Sequence, residues 1–129
     1  AFHKRGGKLI MLHNTSDLAI SALATARYYD AIVGSMGKKA ADQFVRLYIV
    51  PGGDHGGANA PSKVDLLAML ERWVERRQAP SEEAIAEEYS ADMQVTRSKP
   101  LCGYPRYPRY AGLGDAKLAA SYRCVPVSR

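Results

Sequence analysis

Two strand-length apolar runs, each broken at its end by a short polar or glycine-rich loop, constrain this chain more than any other feature. The first is Lys8-Leu9-Ile10-Met11-Leu12-His13, which opens into Asn14-Thr15-Ser16-Asp17. The second covers residues 44–50 and opens into Pro51-Gly52-Gly53-Asp54-His55-Gly56-Gly57. Neither run alternates polar and apolar residues, so each reads as a parallel strand covered on both faces rather than as a half-solvated one. Parallel neighbours need a crossover, and a helical pattern lies between them: Ala26, Tyr29, Val33 and Met36 recur at spacings of three and four over residues 21–36, and Gly37 ends the run. Two strand, loop, helix units predict an α/β architecture.

After the second loop, Ser62-Lys63-Val64-Asp65 reads as a capping box opening a helix to about Arg77. Its expected buried stripe is Leu67, Leu70 and Val74, with Trp73 beside them. Beyond Pro80, residues 81–88 have the helix formers and N-terminal acids of a short helix. From Thr96 the periodicity ends, and Pro100, Pro105, Pro108 and Pro126 with Gly103, Gly112 and Gly114 predict an extended strap. Residues 1–80 therefore carry the two loops, and residues 81–129 form an extension and tail of the same domain. The repeat Tyr104-Pro105-Arg106-Tyr107-Pro108-Arg109-Tyr110 reads as tyrosine and arginine lying on the domain surface, with a polyproline-type ligand as the alternative.

At 129 residues and 47% hydrophobic content, the chain can bury a core of its own. No apolar stretch approaches the ~20 residues of a membrane helix. The basic N-terminus is followed by too short an apolar run to be a signal peptide. Residues 63–92 are acidic and residues 93–129 basic, so the two segments are able to lie on each other. A basic, tyrosine-rich tail is also the composition of a nucleic-acid footprint, but no binding motif accompanies it, and no nucleic-acid partner is expected. Cys102 and Cys124 bracket part of the tail. One even pair without a Cys-x-x-Cys reads as a disulfide and an oxidising compartment, secreted or periplasmic; the alternative is two reduced thiols packed as small hydrophobes.

The two loops each bring one acid-base group, first Asp17 and then His55. That is the order and the placement in which an α/β-hydrolase presents its acid and its histidine, after the nucleophile. No serine or cysteine stands in a Gly-x-Ser-x-Gly frame: in Gly34-Ser35-Met36-Gly37, Val33 occupies the place of the first glycine. Each residue has a structural alternative. Asp17 is placed to cap the helix that follows, and His55 to serve as a turn residue. Asp54 precedes His55, but successive side chains in an extended loop diverge. His13 ends a strand and is expected to make a structural hydrogen bond; His3 is a solvated terminal residue.

These residues together carry a resemblance. Gly7-Lys8-Leu9-Ile10 with His13, Asp17 and Ile20, the Val50-Pro51-Gly52 lead into His55-Gly56-Gly57, the Trp73-Val74-Glu75 helix end and the tail with Cys102 and Cys124 are similar to the C-terminal part of the tannase/feruloyl esterase family. The resemblance implies an α/β-hydrolase with an inserted lid, acting on small-molecule esters of phenolic acids. It assigns Asp17 and His55 as catalytic acid and base, with the serine outside this chain. It implies no cofactor in this chain; the calcium often held by the family belongs to the absent lid. In one departure from the family, Gly56 stands where a cysteine usually follows the histidine, so the bridge from that cysteine to one beside the serine cannot form. The alternative is a non-catalytic interaction module using the basic tail. On either reading, a sheet edge left open, or flanking helix faces left without neighbours, predicts self-association of the isolated chain.

Overall fold

The computed structural model describes residues 2–127. Strand β1 (Leu9–Asn14) lies parallel to β2 (Val45–Val50), with Leu9 opposite Val45 and Asn14 opposite Val50. Helix α1 (Ala22–Met36) and the short α2 (Lys38–Ala41) make the crossover, and α3 (Leu66–Arg76) follows β2. Both faces of the strand pair are covered, which is the reason for the unbroken apolar runs. Leu9, Met11, Val45, Leu47 and Ile49 pack with Tyr29, Ile32 and Val33 of α1. Ile10, Leu12, Tyr48 and Val50 pack on the other side with Leu66 and Met69 of α3 and with Ala86 and Leu101 from the tail.

Helix α3 differs from its sequence reading in two ways. Ser62 does not cap it: its hydroxyl donates to the Gly57 carbonyl at 2.5 Å, whereas Asp65 is the N-cap and accepts from the Ala68 amide at 2.8 Å. The inward stripe is Met69 and Trp73, both buried, with Leu66 half-buried, one residue behind the expected one, and Leu67 and Val74 are exposed. Trp73 decides the rotation. It is the largest apolar side chain of the helix, and its ring is flanked by the Lys8 and Arg46 cations at 5.4 Å each.

The short helix expected over residues 81–88 is a strand. Here β3 (Glu83–Tyr89) pairs antiparallel with β4 (Val95–Cys102). An eight-residue helix cannot repay its own nucleation, whereas the strand pairs along its length and buries Ala86. The tail is extended, as expected, but not unpaired: β5 (Tyr107–Tyr110) and β6 (Tyr122–Val125) form a second antiparallel ribbon. Two-stranded ribbons have only edges, which is why Pro100 and Pro108 are tolerated in them. The opposite charges of the two segments do meet. Arg97 pairs with Glu88, and Arg106 with Glu83 at 3.0 Å. Tyr104 packs edge-on against Tyr29, while Tyr107 and Arg109 are exposed.

Cys102 and Cys124 form a disulfide with Cα atoms 5.6 Å apart, tying β4 to β6. The outer edge of β2 is covered by the start of the tail, where the Tyr104 amide donates to the Leu47 carbonyl at 2.9 Å and Gly103 bridges Tyr48. Among the described residues no strand pairs with the outer edge of β1, whose residues are half-buried throughout.

Candidate active site

Because β1 and β2 are parallel and in register, their C-terminal ends lie side by side, and the loops after Asn14 and Val50 leave the sheet together. Four hydrogen bonds hold the two loops to each other. The Thr15 amide donates to the Val50 carbonyl at 3.0 Å and the Ser16 amide to the Gly53 carbonyl at 2.9 Å. The Gly52 amide donates to Thr15 Oγ1 at 2.8 Å, and Asn14 Nδ2 to the Asp54 carbonyl at 2.7 Å. Gly52 takes φ +82°, a conformation that favours glycine. Gly53 is required for a different reason: a Cβ there would lie 2.7 Å from Asn14 Oδ1. Asn14, Thr15 and Gly53 were not singled out by sequence reasoning. The polar triplet at the mouth of an apolar strand was the available signal.

On this frame the side chains of Asp17 and His55 meet, with Asp17 Oδ2 2.9 Å from His55 Nδ1. Asp17 does not cap α1, whose N-cap is Ser21, but orders the turn that precedes it. Its Oδ1 accepts from the Ala19 and Ile20 amides at 2.8 and 2.9 Å. One carboxylate oxygen therefore orders the loop and the other faces the imidazole. The His55 hydrogen bond, then the Ile20 amide, hold the Asp17 carboxyl at about 2, below its ordinary 3.8, with burial acting in the opposite direction. Asp17 is anionic across the neutral range, and an anion can only accept, so His55 Nδ1 carries a proton and Nε2 is left as the basic nitrogen. The Asp17 side chain is 8% exposed and that of His55 62%. The acid is thus sheltered beneath an accessible base.

Asp54 faces its own loop. Its carboxylate accepts from the Ala58 amide at 2.9 Å and from Asn59 Nδ2 at 2.8 Å, so its sequence adjacency to His55 does not make it the imidazole's partner. At Gly56 a Cβ would make only ordinary contact, 3.6 Å from Asp54 Oδ1, so a glycine is not sterically required there. His55 and Gly56 border an open hollow completed by Ser16, Leu18, Ala19, Asp54 and Ala58. Leu18 is fully exposed, and Ile20 and Leu23 are more than half exposed, which gives this end of the molecule an apolar rim. His3 lies away from this cluster, stacked against Phe44. Among the described residues no three His, Cys, Asp or Glu side chains converge on one point.

The chain is similar to known proteins along nearly its whole length. The family model described as tannase and feruloyl esterase matches residues 1–125. Mono(2-hydroxyethyl) terephthalate hydrolase of Piscinibacter sakaiensis is 40% identical over 97% of this chain and 21% of its own length. A probable feruloyl esterase of Arthroderma benhamiae is 32% identical over 97% of this chain and 24% of its own. The crystal structure of feruloyl esterase B from Aspergillus oryzae superposes with a TM-score of 0.85 at 25% identity, covering 95% of this chain and 27% of that one. The chain thus spans about a quarter of the length of these relatives.

Proposed function

The chain belongs to the tannase and feruloyl esterase family, and from that premise we propose that it is the C-terminal part of an α/β-hydrolase that cleaves carboxylic esters by a Ser-His-Asp mechanism. The observation that carries the reading is the 2.9 Å contact between Asp17 and His55 at the C-terminal ends of adjacent parallel strands. Residues 1–80 supply both groups, and within the extension and tail Ala86 and Leu101 pack with α3 while Gly103 and Tyr104 cover the outer edge of β2.

In this mechanism a serine contributed by the rest of the protein attacks the ester carbonyl while His55 Nε2 takes the hydroxyl proton. The tetrahedral intermediate collapses as His55 passes that proton to the leaving alcohol. Water then repeats the two steps and releases the acid. Asp17 holds the Nδ1–H tautomer and stabilises the imidazolium that forms twice in the cycle. The oxyanion is held by backbone amides beside the serine. The substrates are esters of phenolic or related aromatic acids, the class for which the relatives are named. The exposed Leu18, which lines the same hollow as His55, suits such an acyl group. The disulfide suits a secreted or periplasmic protein. As an isolated piece the chain self-associates through the open edge of β1.

An activity-based phosphonate probe for activated serines tests this reading. The protein expressed with its upstream reading frame is labelled on a serine preceding residue 1, and the His55→Ala variant is not. The 129-residue chain alone remains unlabelled and hydrolyses a phenolic ester no faster than its own His55→Ala control. A labelled serine within residues 2–127 would overturn the assignment.

A further inference from the structure

The turn that presents Asp17 has little packing to hold it. Leu18 is fully exposed and Ile20 is 54% exposed, so burial of apolar surface does not explain why residues 17–20 keep one conformation. A polar tether does. His13, the penultimate residue of β1, has a side chain only 10% exposed, and both of its ring nitrogens are engaged. Nδ1 lies 2.7 Å from Thr25 Oγ1 on α1, and Nε2 lies 3.1 Å from the Ile20 carbonyl oxygen. A carbonyl only accepts, so Nε2 carries the proton, and Nδ1 of the neutral ring accepts the threonine hydroxyl.

Ile20 is also the residue whose amide donates to Asp17 Oδ1 at 2.9 Å. The imidazole therefore grips the carbonyl of the same residue whose amide occupies one oxygen of the acid. Asp17 Oδ2, the oxygen facing His55, lies 3.7 Å from His13 Nε2, too far for a hydrogen bond but close enough for the ring to back the carboxylate. We propose that His13 is a positioning residue: it locks the 17–20 turn to α1 so that Asp17 keeps Oδ1 in the turn and presents Oδ2 to His55. The proposal rests on the reading of Asp17 and His55 as the working pair, and it extends that pair backward through Ile20 and His13 to Thr25.

Nuclear magnetic resonance of the 129-residue chain separates the two claims, with the Asp17 carboxyl carbon followed through acid and the His55 ring nitrogens observed above neutrality. The wild-type carboxyl titrates near 2, and His55 holds its proton on Nδ1. His13→Leu removes both ring hydrogen bonds; the carboxyl midpoint moves up toward 3.8, and the His55 tautomers redistribute toward Nε2–H. His13→Gln, whose amide can donate to Ile20 and accept from Thr25, restores both signals. Thr25→Val, which keeps His13 but removes its anchor on α1, shifts both in the same direction by less.

His55→Ala tests the underlying pair: an Asp17 midpoint that it leaves unmoved means that there is no pair, and the function reading fails. An Asp17 midpoint that responds to His55→Ala but not to His13→Leu overturns the positioning role alone. If His13→Leu does not fold, Thr25→Val decides, and unmoved signals in that folded variant overturn the proposal.

Discussion

Replacing Gly53 by alanine is expected to force apart the two loops that carry the candidate pair. An ideal Cβ at residue 53 would lie 2.7 Å from Asn14 Oδ1, 2.9 Å from its Cγ and 3.2 Å from its Cβ. The obstacle is thus the whole Asn14 side chain, down to the atom joined to the β1 backbone, and not a flexible tip. Gly53 is not among the positive-φ glycines, so alanine there carries no backbone penalty, and the clash alone sets the cost.

Overpacking of this kind costs about 1–3 kcal/mol. Moving Asn14 away also breaks its 2.7 Å bond to the Asp54 carbonyl, a further loss of about 1 kcal/mol. The smaller conformational entropy of the unfolded alanine chain offsets about 0.4–1 kcal/mol. The net destabilisation is about 2 kcal/mol, or on the order of 8 °C in Tm for a domain of this size. Urea melts followed by the fluorescence of Trp73, which is buried, measure it. Asn14→Ala removes the two nearest of these atoms and leaves only Cβ, at 3.2 Å, so adding Gly53→Ala in that background should cost about 1 kcal/mol less than in the wild type. A neutral Gly53→Ala in the wild-type background, or an equal cost in both, would refute the steric reasoning.

Three other outcomes are expected. The Asp17 carboxyl is depressed to about 2 in the folded state, so its contribution to stability is complete above its ordinary 3.8 and is lost as pH falls through 2. The urea midpoint of the wild type should therefore fall more than that of Asp17→Asn across this window; parallel acid limbs would contradict it. Replacing Cys102 and Cys124 together by serine removes a link across a sequence separation of 22 and should cost about 3 kcal/mol in urea unfolding; a loss below about 1 kcal/mol would mean that the ribbons hold the tail without it. Light scattering of the isolated chain should show a mass that rises with concentration, and a strict monomer would show that the open edge of β1 is not a pairing surface.

What could be read from the sequence was what repeats locally or is forced by chemistry. The two parallel strands, α1 with its Ala26, Tyr29 and Val33 stripe, and the meeting of Asp17 with His55 all follow from apolar runs and from where the runs stop. The rest depends on contacts distant in sequence. Residues 83–89 have helical composition, but Lys63 and β4 are waiting to pair with them, and the pairing wins. The rotation of α3 turns on Trp73 fitting between Lys8 and Arg46, residues that come from β2 and from the segment just before β1. At the site, the supporting roles of Asn14 and Gly53 were hidden because each acts across the gap between elements, Asn14 on Asp54 and Gly53 on Asn14, whereas His13 was expected to make a structural hydrogen bond and only its partners, Thr25 and Ile20, were not legible. Asp17 takes neither of its two sequence roles alone: Ser21 is the N-cap of α1, and the two oxygens of the Asp17 carboxylate divide between the turn before that helix and the His55 ring.

If Asp17 and His55 act as one unit on an ester, steady-state kinetics of the protein expressed with its upstream reading frame, on a phenolic ester, should show it. His55→Ala and Asp17→Asn should each lower kcat/KM by about 10³-fold or more, and the double variant should be little worse than the more damaging single one, because the two residues serve one proton transfer. Folded variants that keep activity within about tenfold of wild type, or losses that multiply in the double variant, would contradict it.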